Sequence, residues 1–87
     1  MQVRVSRHTL LRALKRGVSL TEIEDTLASG KPVPAAFGRL AREKVFPLNA
    51  LWQGRFYAEK KVKVVYVIEQ RTAWTVTVIS YYGKWEN

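Results

Sequence analysis

The fold is decided by the stretch SRHTLLRALKRGVSLTE, residues 6–22, because it holds the signals that end one helix and begin another. Ser6 is a typical N-cap and Gly17 a typical C′ residue, so we predict a helix over about 7–16. The segment Ser19–Glu22 fits a capping box and begins a second helix. The sequence therefore predicts two short helices joined by only a few residues.

Apolar spacing assigns a buried side to each helix. A period of 3.6 residues predicts that the first helix turns one group of side chains to the core, namely Leu10, Leu11, Leu14 and Val18. The second helix presents Leu20, Ile23 and Leu27 in the same way, and Gly30 with Lys31-Pro32 ends it. We therefore expect both helices to pack on a common surface.

The remaining chain has strand patterns. We predict an edge strand at 3–5, an irregular crossing at 32–38, a strand over 42–46 that Pro47 ends, a loop over 48–54 containing Trp52, extended structure at 55–58, a strand over 62–69, a turn at 70–72 and a strand over 73–82. Residues 59–61 fit either a turn or the middle of one long bent strand. The sequence thus predicts a single α+β domain over 1–87.

Alternation assigns the two faces of this sheet. One face lies under the helices and carries Val62, Val64, Tyr66, Ile68, Trp74, Val76 and Val78. The opposite face is basic and hydroxyl-rich, with Lys61, Lys63, Thr75, Thr77 and Tyr81. The predicted architecture is two N-terminal helices packed on one face of an antiparallel sheet of about four strands.

Charge points to an anionic partner. Fifteen Lys and Arg against seven Asp and Glu give a formal net charge of +8 in 87 residues. Such an excess favours RNA, DNA or an acidic protein. The absence of cysteine excludes disulfides and thiolate chemistry, and with one histidine we expect no metal site and no cofactor. We expect a cytoplasmic protein without a signal peptide or membrane span.

Two groups of residues are candidates for function. His8, Arg12 and Arg16 recur every four residues and form one stripe that suits phosphate binding and acid–base chemistry, although a solvated helix face has the same pattern. The candidate nucleic-acid ligands are Arg55, Lys60, Lys61, Lys63 and Lys84, of which the three central lysines would equally suit the protection of an edge strand. Trp74 is assigned to the core, whereas Tyr81, Tyr82 and Trp85 suit either base stacking or packing of the sheet's last edge.

A helix-turn-helix interpretation is also available, because residues 17–19 are short enough for the turn. In that motif the second helix enters the major groove of DNA. Here the second helix would turn Glu22, Glu24 and Asp25 towards phosphates, which is electrostatically unfavourable. The charge lies on the wrong helix for this motif.

Motifs along nearly the whole chain resemble one known group. The run His8-x-x-x-Arg12-x-x-x-Arg16-Gly17-Val18 is followed by Ser19-Leu-Thr-Glu22-Ile23, by Gly54-Arg55, by Lys61-x-Lys63-Val-Val-Tyr66 and by Thr77-Val-Ile-Ser-Tyr81. Together these resemble small domains of unknown function related to the RelE/ParE toxins. Thr9 stands where that group usually has Ala, and the segment 38–51 has no corresponding motif.

The resemblance implies a RelE-like fold and a toxin of a type II toxin–antitoxin system. It implies cleavage of mRNA, free or on the ribosome, and an acidic antitoxin that covers the basic surface. Cleavage without metal uses the 2′-OH as nucleophile, and it needs a proton acceptor, cations for the phosphate and a proton donor. His8 would transfer the proton, Arg12 and Arg16 would hold the phosphate, and Tyr81 would donate a proton or stack a base. The alternatives are a non-catalytic basic module that binds nucleic acid or an acidic protein, and a family member with a structural or regulatory role.

Overall fold

The computed structural model describes residues 2–85, which form an α+β fold of two helices and one five-stranded sheet. In chain order the elements are β1 (Gln2–Arg4), α1 (Arg7–Arg16), α2 (Leu20–Ser29), β2 (Lys31–Val33), β3 (Leu40–Trp52), β4 (Arg55–Glu69) and β5 (Thr72–Gly83). The strand order is β1-β5-β4-β3-β2, with β1 parallel to β5 and the other pairs antiparallel. The α+β class is confirmed, but the sheet is mixed and has five strands rather than about four.

Both helices begin and end where the sequence predicts, because their caps are formed by nearby residues. The Ser6 hydroxyl accepts from the Thr9 amide at 3.1 Å, and Gly17 adopts a left-handed φ of 70°. In the capping box, the Glu22 amide donates to the Ser19 hydroxyl at 3.1 Å and the Ser19 amide to the Glu22 carboxylate at 2.9 Å. Each cap satisfies backbone groups that the first or last turn of a helix leaves without a partner.

The strands are longer than predicted, chiefly because Pro47 does not end β3. β2 pairs only with Ala41–Glu43, so β3 beyond Glu43 is an edge strand, where the missing proline N–H costs no ladder bond. A register shift between Pro47 and Ala50 absorbs the irregularity. The predicted loop over 48–54 is therefore mostly strand, and the turn is Gln53-Gly54, with φ of 51° and 80°.

Two other predictions about the strands are settled by the pairing. The segment 31–33, which overlaps the start of the predicted irregular crossing, forms β2. Residues 59–61 lie inside the uninterrupted β4, so the long-strand interpretation is the correct one. β4 consequently occupies the centre of the sheet, with β3 on one side and β5 on the other.

The core lies between the helices and one face of the sheet, which we call the covered face. Its buried apolar residues are Ala13, Val18, Ile23, Val62, Val64 and Val78. α1 contacts the sheet through Thr9 and Ala13, whereas Leu10, Leu11 and Leu14 are 42%, 51% and 78% exposed. The predicted core side of α1 is therefore wrong for these three leucines, whereas Val18 is buried as predicted. Small buried residues let the helix lie close to β5, where the Ser6 amide donates to the Thr75 hydroxyl at 2.9 Å.

A bulge at Val76 corrects the predicted faces of β5. The register changes from Val65 opposite Thr77 to Tyr66 opposite Thr75, so Val76 has no direct partner. One extra residue reverses the alternation, which buries Thr75 and turns Trp74 to the other face, where it is 46% exposed. Trp74 is therefore not a core residue.

Ile68, also predicted to lie under the helices, is 46% exposed near the end of β4. The part of the chain that the structure describes contains no helix with the length and apolarity required to cross a membrane.

Candidate nucleic-acid interface

The alternation of β4 sends two neighbouring lysines in opposite directions. Lys60 shares the covered face with Val62 and Val64, and it is only 6% exposed. Its Nζ donates to the Gly17 carbonyl and to Glu22 Oε1, both at 2.8 Å. The prediction that Lys60 binds nucleic acid is wrong, because its ammonium group is buried and holds the junction between the helices.

The end of α1 is fixed by further side chains from the sheet. The Arg16 carbonyl accepts from the Ser80 hydroxyl at 3.0 Å and from the Tyr82 hydroxyl. Burial raises the pKa of Tyr82 above its ordinary value, so the phenol remains a donor. Trp52 stacks on Tyr82 with ring centroids 4.9 Å apart and an interplanar angle of 11°. Tyr82 is thus a packing residue rather than a base-stacking surface.

The four predicted catalytic residues do not form one site. His8 and Arg12 are exposed on α1, which lies on the covered face, and neither makes a hydrogen bond or ion pair with any other residue in 2–85. Arg16 Nη1 donates to the Val78 carbonyl at 3.4 Å. Since Ser80 and Tyr82 point towards α1, the side chain of Tyr81 between them lies on the opposite face. We call that opposite face the open face.

Cations and aromatic rings do meet on the open face. Lys61 and Tyr81 are direct cross-strand partners, and Lys61 Nζ lies 5.9 Å from the Tyr81 ring centroid and 4.8 Å from that of Trp85. Both distances are within the range of cation–π attraction. The Trp85 amide donates to Glu59 Oε1 at 2.6 Å, which places the residue over this end of the sheet. We call Lys61, Tyr81 and Trp85 the aromatic–lysine cluster.

A cavity of about 410 Å³ opens beside this cluster, near the end of β2. Its lining combines Trp85 and Val45 with the charged residues Lys31, Lys44, Lys61 and Glu43, and with Ser29-Gly30. β2 begins at Lys31, opposite Glu43, so within residues 2–85 the same edge of β3 has no strand beside it from Lys44 onward. The cavity therefore adjoins the open face and an uncovered strand edge.

The lysines around the cavity differ in the hydrogen bonds that they already make. Lys44 Nζ donates to Asp25 Oδ1 and to the Ser29 hydroxyl, both at 2.8 Å. The hydrogen bond from Lys44, and secondly that from Ser29, lowers the pKa of Asp25 below its ordinary value. Lys61 Nζ lies 4.0 Å from Glu43 Oε1, well beyond a charge-assisted hydrogen bond. Lys61 therefore keeps more donor capacity for an anion than Lys44.

The other predicted nucleic-acid ligands lie outside the aromatic–lysine cluster. Lys63 lies on the open face opposite Ile79 and Glu43. Lys84 is exposed next to Trp85, and Arg55 is exposed at the turn between β3 and β4. Lys61 Nζ lies over the rings of both Tyr81 and Trp85.

A second cavity, of about 380 Å³, lies between α2 and the covered face and is mainly apolar. Arg42 lines it but donates to the Gly30 carbonyl at 2.6 Å and to the Tyr66 hydroxyl at 3.3 Å.

Across residues 2–85, no group of three or more His, Cys, Asp or Glu side chains is placed to hold a metal ion.

Sequence reasoning missed Lys31 and Glu43 as members of a site. The signal that would have identified them is the pairing of Glu43 with Lys63 and with Lys31, which requires the strand register.

Comparison of the chain with protein-family models, with curated proteins and with solved structures gives no match. The assignment of function therefore depends on the geometry of the site.

Proposed function

We propose that this protein binds single-stranded RNA on the open face of its sheet. The observation that carries the proposal is the aromatic–lysine cluster, in which one lysine lies over two rings beside a 410 Å³ cavity. Single strands are bound by cations that follow the phosphates and by aromatic rings that stack on unpaired bases. A net charge of +8 adds a long-range attraction for a polyanion.

The cluster favours single strands over duplexes for a physical reason. Bases in a duplex are already stacked on each other, so an aromatic ring on a sheet gains a stacking partner only from an unpaired base. The acids of α2, including Glu24 and Asp25, also oppose insertion of that helix into a groove. The binding module is thus the interpretation that the open face supports best.

Cleavage by a RelE-like toxin is the second candidate, favoured by one observation. His8 and Arg12 are exposed and unbonded within 2–85, as a catalytic base and a phosphate ligand require. Because Tyr81 lies on the other face, a catalytic centre at His8 would have to work without it. In this proposal the protein acts in the cytoplasm, and an acidic antitoxin covers its basic surface.

Binding is tested by fluorescence anisotropy with a labelled single-stranded RNA at several salt concentrations. Lys61→Ala should weaken binding and reduce the salt slope by about 0.7, the value for one phosphate contact to a single strand. Lys15→Ala, an equal loss of charge at an exposed position of α1, is the matched control. Equal effects of the two variants would show that net charge, and not the open face, causes binding.

Cleavage is tested separately by incubating the RNA with the protein and resolving the products on a gel. New fragments that disappear with His8→Ala, in a variant that still binds RNA, would support the endoribonuclease. Growth arrest on expression that His8→Ala relieves would support the toxin. Intact RNA at saturating protein, and arrest that persists in the variant, would remove His8 from the mechanism.

A further inference from the structure

We propose that the cavity beside Trp85 holds one unpaired guanine base, and that Glu43 selects guanine over the other bases. The inference rests on the proposed function, because it names the base that RNA would place in this cavity. The aromatic–lysine cluster does not by itself select a base, because every base can stack on an aromatic ring.

The cavity has the size and lining that a base requires. Its volume of about 410 Å³ lies in the range of about 300–1,000 Å³ that is usual for small-molecule sites. Trp85 and Val45 supply apolar surface for a planar ring, while Lys31 and Lys61 are cations in the same lining. A base can therefore enter while its flanking phosphates remain close to the lysines.

Glu43 is the residue with chemistry that distinguishes bases. An ionised carboxylate only accepts hydrogen bonds, and it offers two oxygens side by side. The Watson–Crick edge of guanine presents two adjacent donors, N1–H and the N2 amino group. Adenine and cytosine each present an amino donor beside a ring nitrogen that accepts, and uracil presents one N–H between two carbonyls. Only guanine fits a carboxylate with two bonds.

The position and the neighbours of Glu43 allow its carboxylate to accept two hydrogen bonds from guanine. The Glu43 side chain is 19% exposed, the residue lines the cavity, and Nζ of its ion-pair partner Lys61 is 4.0 Å from Oε1. Cross-strand neighbours Lys31 and Lys63 flank it on either side. These cations would offset the repulsion between this carboxylate and the RNA backbone. Glu43, an acid within a basic surface, would therefore accept hydrogen bonds from the edge of a nucleobase rather than contact a phosphate.

The experiment compares three labelled pentamers, UUGUU, UUIUU and UUAUU, in which I is inosine, by fluorescence anisotropy with the intact protein. One bidentate base contact predicts about a tenfold preference for UUGUU over UUAUU. Inosine keeps N1–H but lacks the N2 amino group, so UUIUU should bind more weakly than UUGUU. These comparisons change only the RNA and do not depend on how a variant folds.

Variants then assign the preference to the residue. Glu43→Gln should reduce the guanine preference to about twofold or less, whereas Glu69→Gln, at the far end of β4, should keep it. Trp85→Leu should weaken all three pentamers by similar factors. Equal binding of the three pentamers by the wild-type protein, with Lys61 still required, would overturn the inference and leave the proposed function intact. Failure to bind any pentamer or an oligouridine would overturn both.

Discussion

Gly17 is the residue whose replacement should test the packing most sharply. It has a φ of +70°, and a Cβ built on it would lie 2.5 Å from Cζ3 of Trp52 and 2.7 Å from the Tyr82 hydroxyl. Gly17→Ala therefore imposes two penalties, one on the backbone and one on the packing. Gly38 separates them, because it has the same φ of +70° and no atom of residues 2–85 lies within 4 Å of a Cβ added there.

The two penalties can be given magnitudes. A left-handed conformation costs an L-residue roughly 1–2 kcal/mol, so we expect a loss of about that size for Gly38→Ala. At Gly17 the overpacking adds about 1–3 kcal/mol, because Trp52 or Tyr82 has to move. If Tyr82 moves, its hydrogen bond to the Arg16 carbonyl is also weakened. Gly17→Ala should thus reduce the free energy of unfolding by about 2–5 kcal/mol.

Urea denaturation followed by tryptophan fluorescence and by far-ultraviolet circular dichroism measures both losses. The linear extrapolation is valid only where the two signals coincide, so coincidence is checked first. The difference between Gly17→Ala and Gly38→Ala isolates the contact with the aromatic rings. Equal losses in the two variants would show that the close approach of α1 to Trp52 and Tyr82 is not present in solution.

Three further predictions concern ionisable groups. Lys60→Met should lower the free energy of unfolding by about 1–3 kcal/mol in urea, because Glu22 loses its buried partner. Glu22→Leu also removes the capping-box bond to the Ser19 amide, so the pairing is tested by a double-mutant cycle: the double variant should lose less than the sum of the two single losses, and additive losses would contradict the pairing. Burial raises the pKa of Tyr82, so its contribution to stability is complete below the ordinary tyrosine pKa of about 10 and is lost as pH rises through the folded value. Tyr82→Phe should flatten this alkaline decline, and an unchanged decline would exclude Tyr82 as its cause. Hydrogen bonding by Lys44 lowers the pKa of Asp25, so its contribution is present above the ordinary carboxyl pKa of about 4 and is lost as pH falls; Asp25→Asn should make the acid decline in melting temperature shallower, and an identical acid limb would contradict the assignment.

The helices could be predicted because their ends are encoded locally. Ser6, Gly17 and the capping box of Ser19 and Glu22 act within a few residues of themselves, and the structure confirms each. The core side of α1 could not be predicted from periodicity. Thr9 is buried because it bonds to Ser6, which in turn bonds to β5, and no hydropathy pattern contains that information.

The strands were harder to predict because register depends on distant parts of the chain. Alternation correctly separated Val62 and Val64 from Lys61, since β4 is regular there. It failed in β5, where the bulge at Val76 reversed the faces of Trp74 and Thr75. The same limit hid Glu43, which acquires its lysine neighbours only after β2, β3 and β4 are paired.

Lys60 and Lys61 show how one fold separates stability from binding. Both are central cations of β4, yet period-two alternation gives the first to the helix junction and the second to the open face. Removal of the Lys60 charge should therefore affect folding chiefly, and removal of the Lys61 charge should affect RNA binding chiefly. The stripe of His8, Arg12 and Arg16 lies apart from the partners of Lys61 on the open face, because α1 presents it on the covered-face side of the molecule, where Arg16 donates to the Val78 carbonyl. A basic surface defined only by net charge would make Lys60, Lys61, Arg12 and Arg16 equivalent, and the geometry of the sheet shows that they are not.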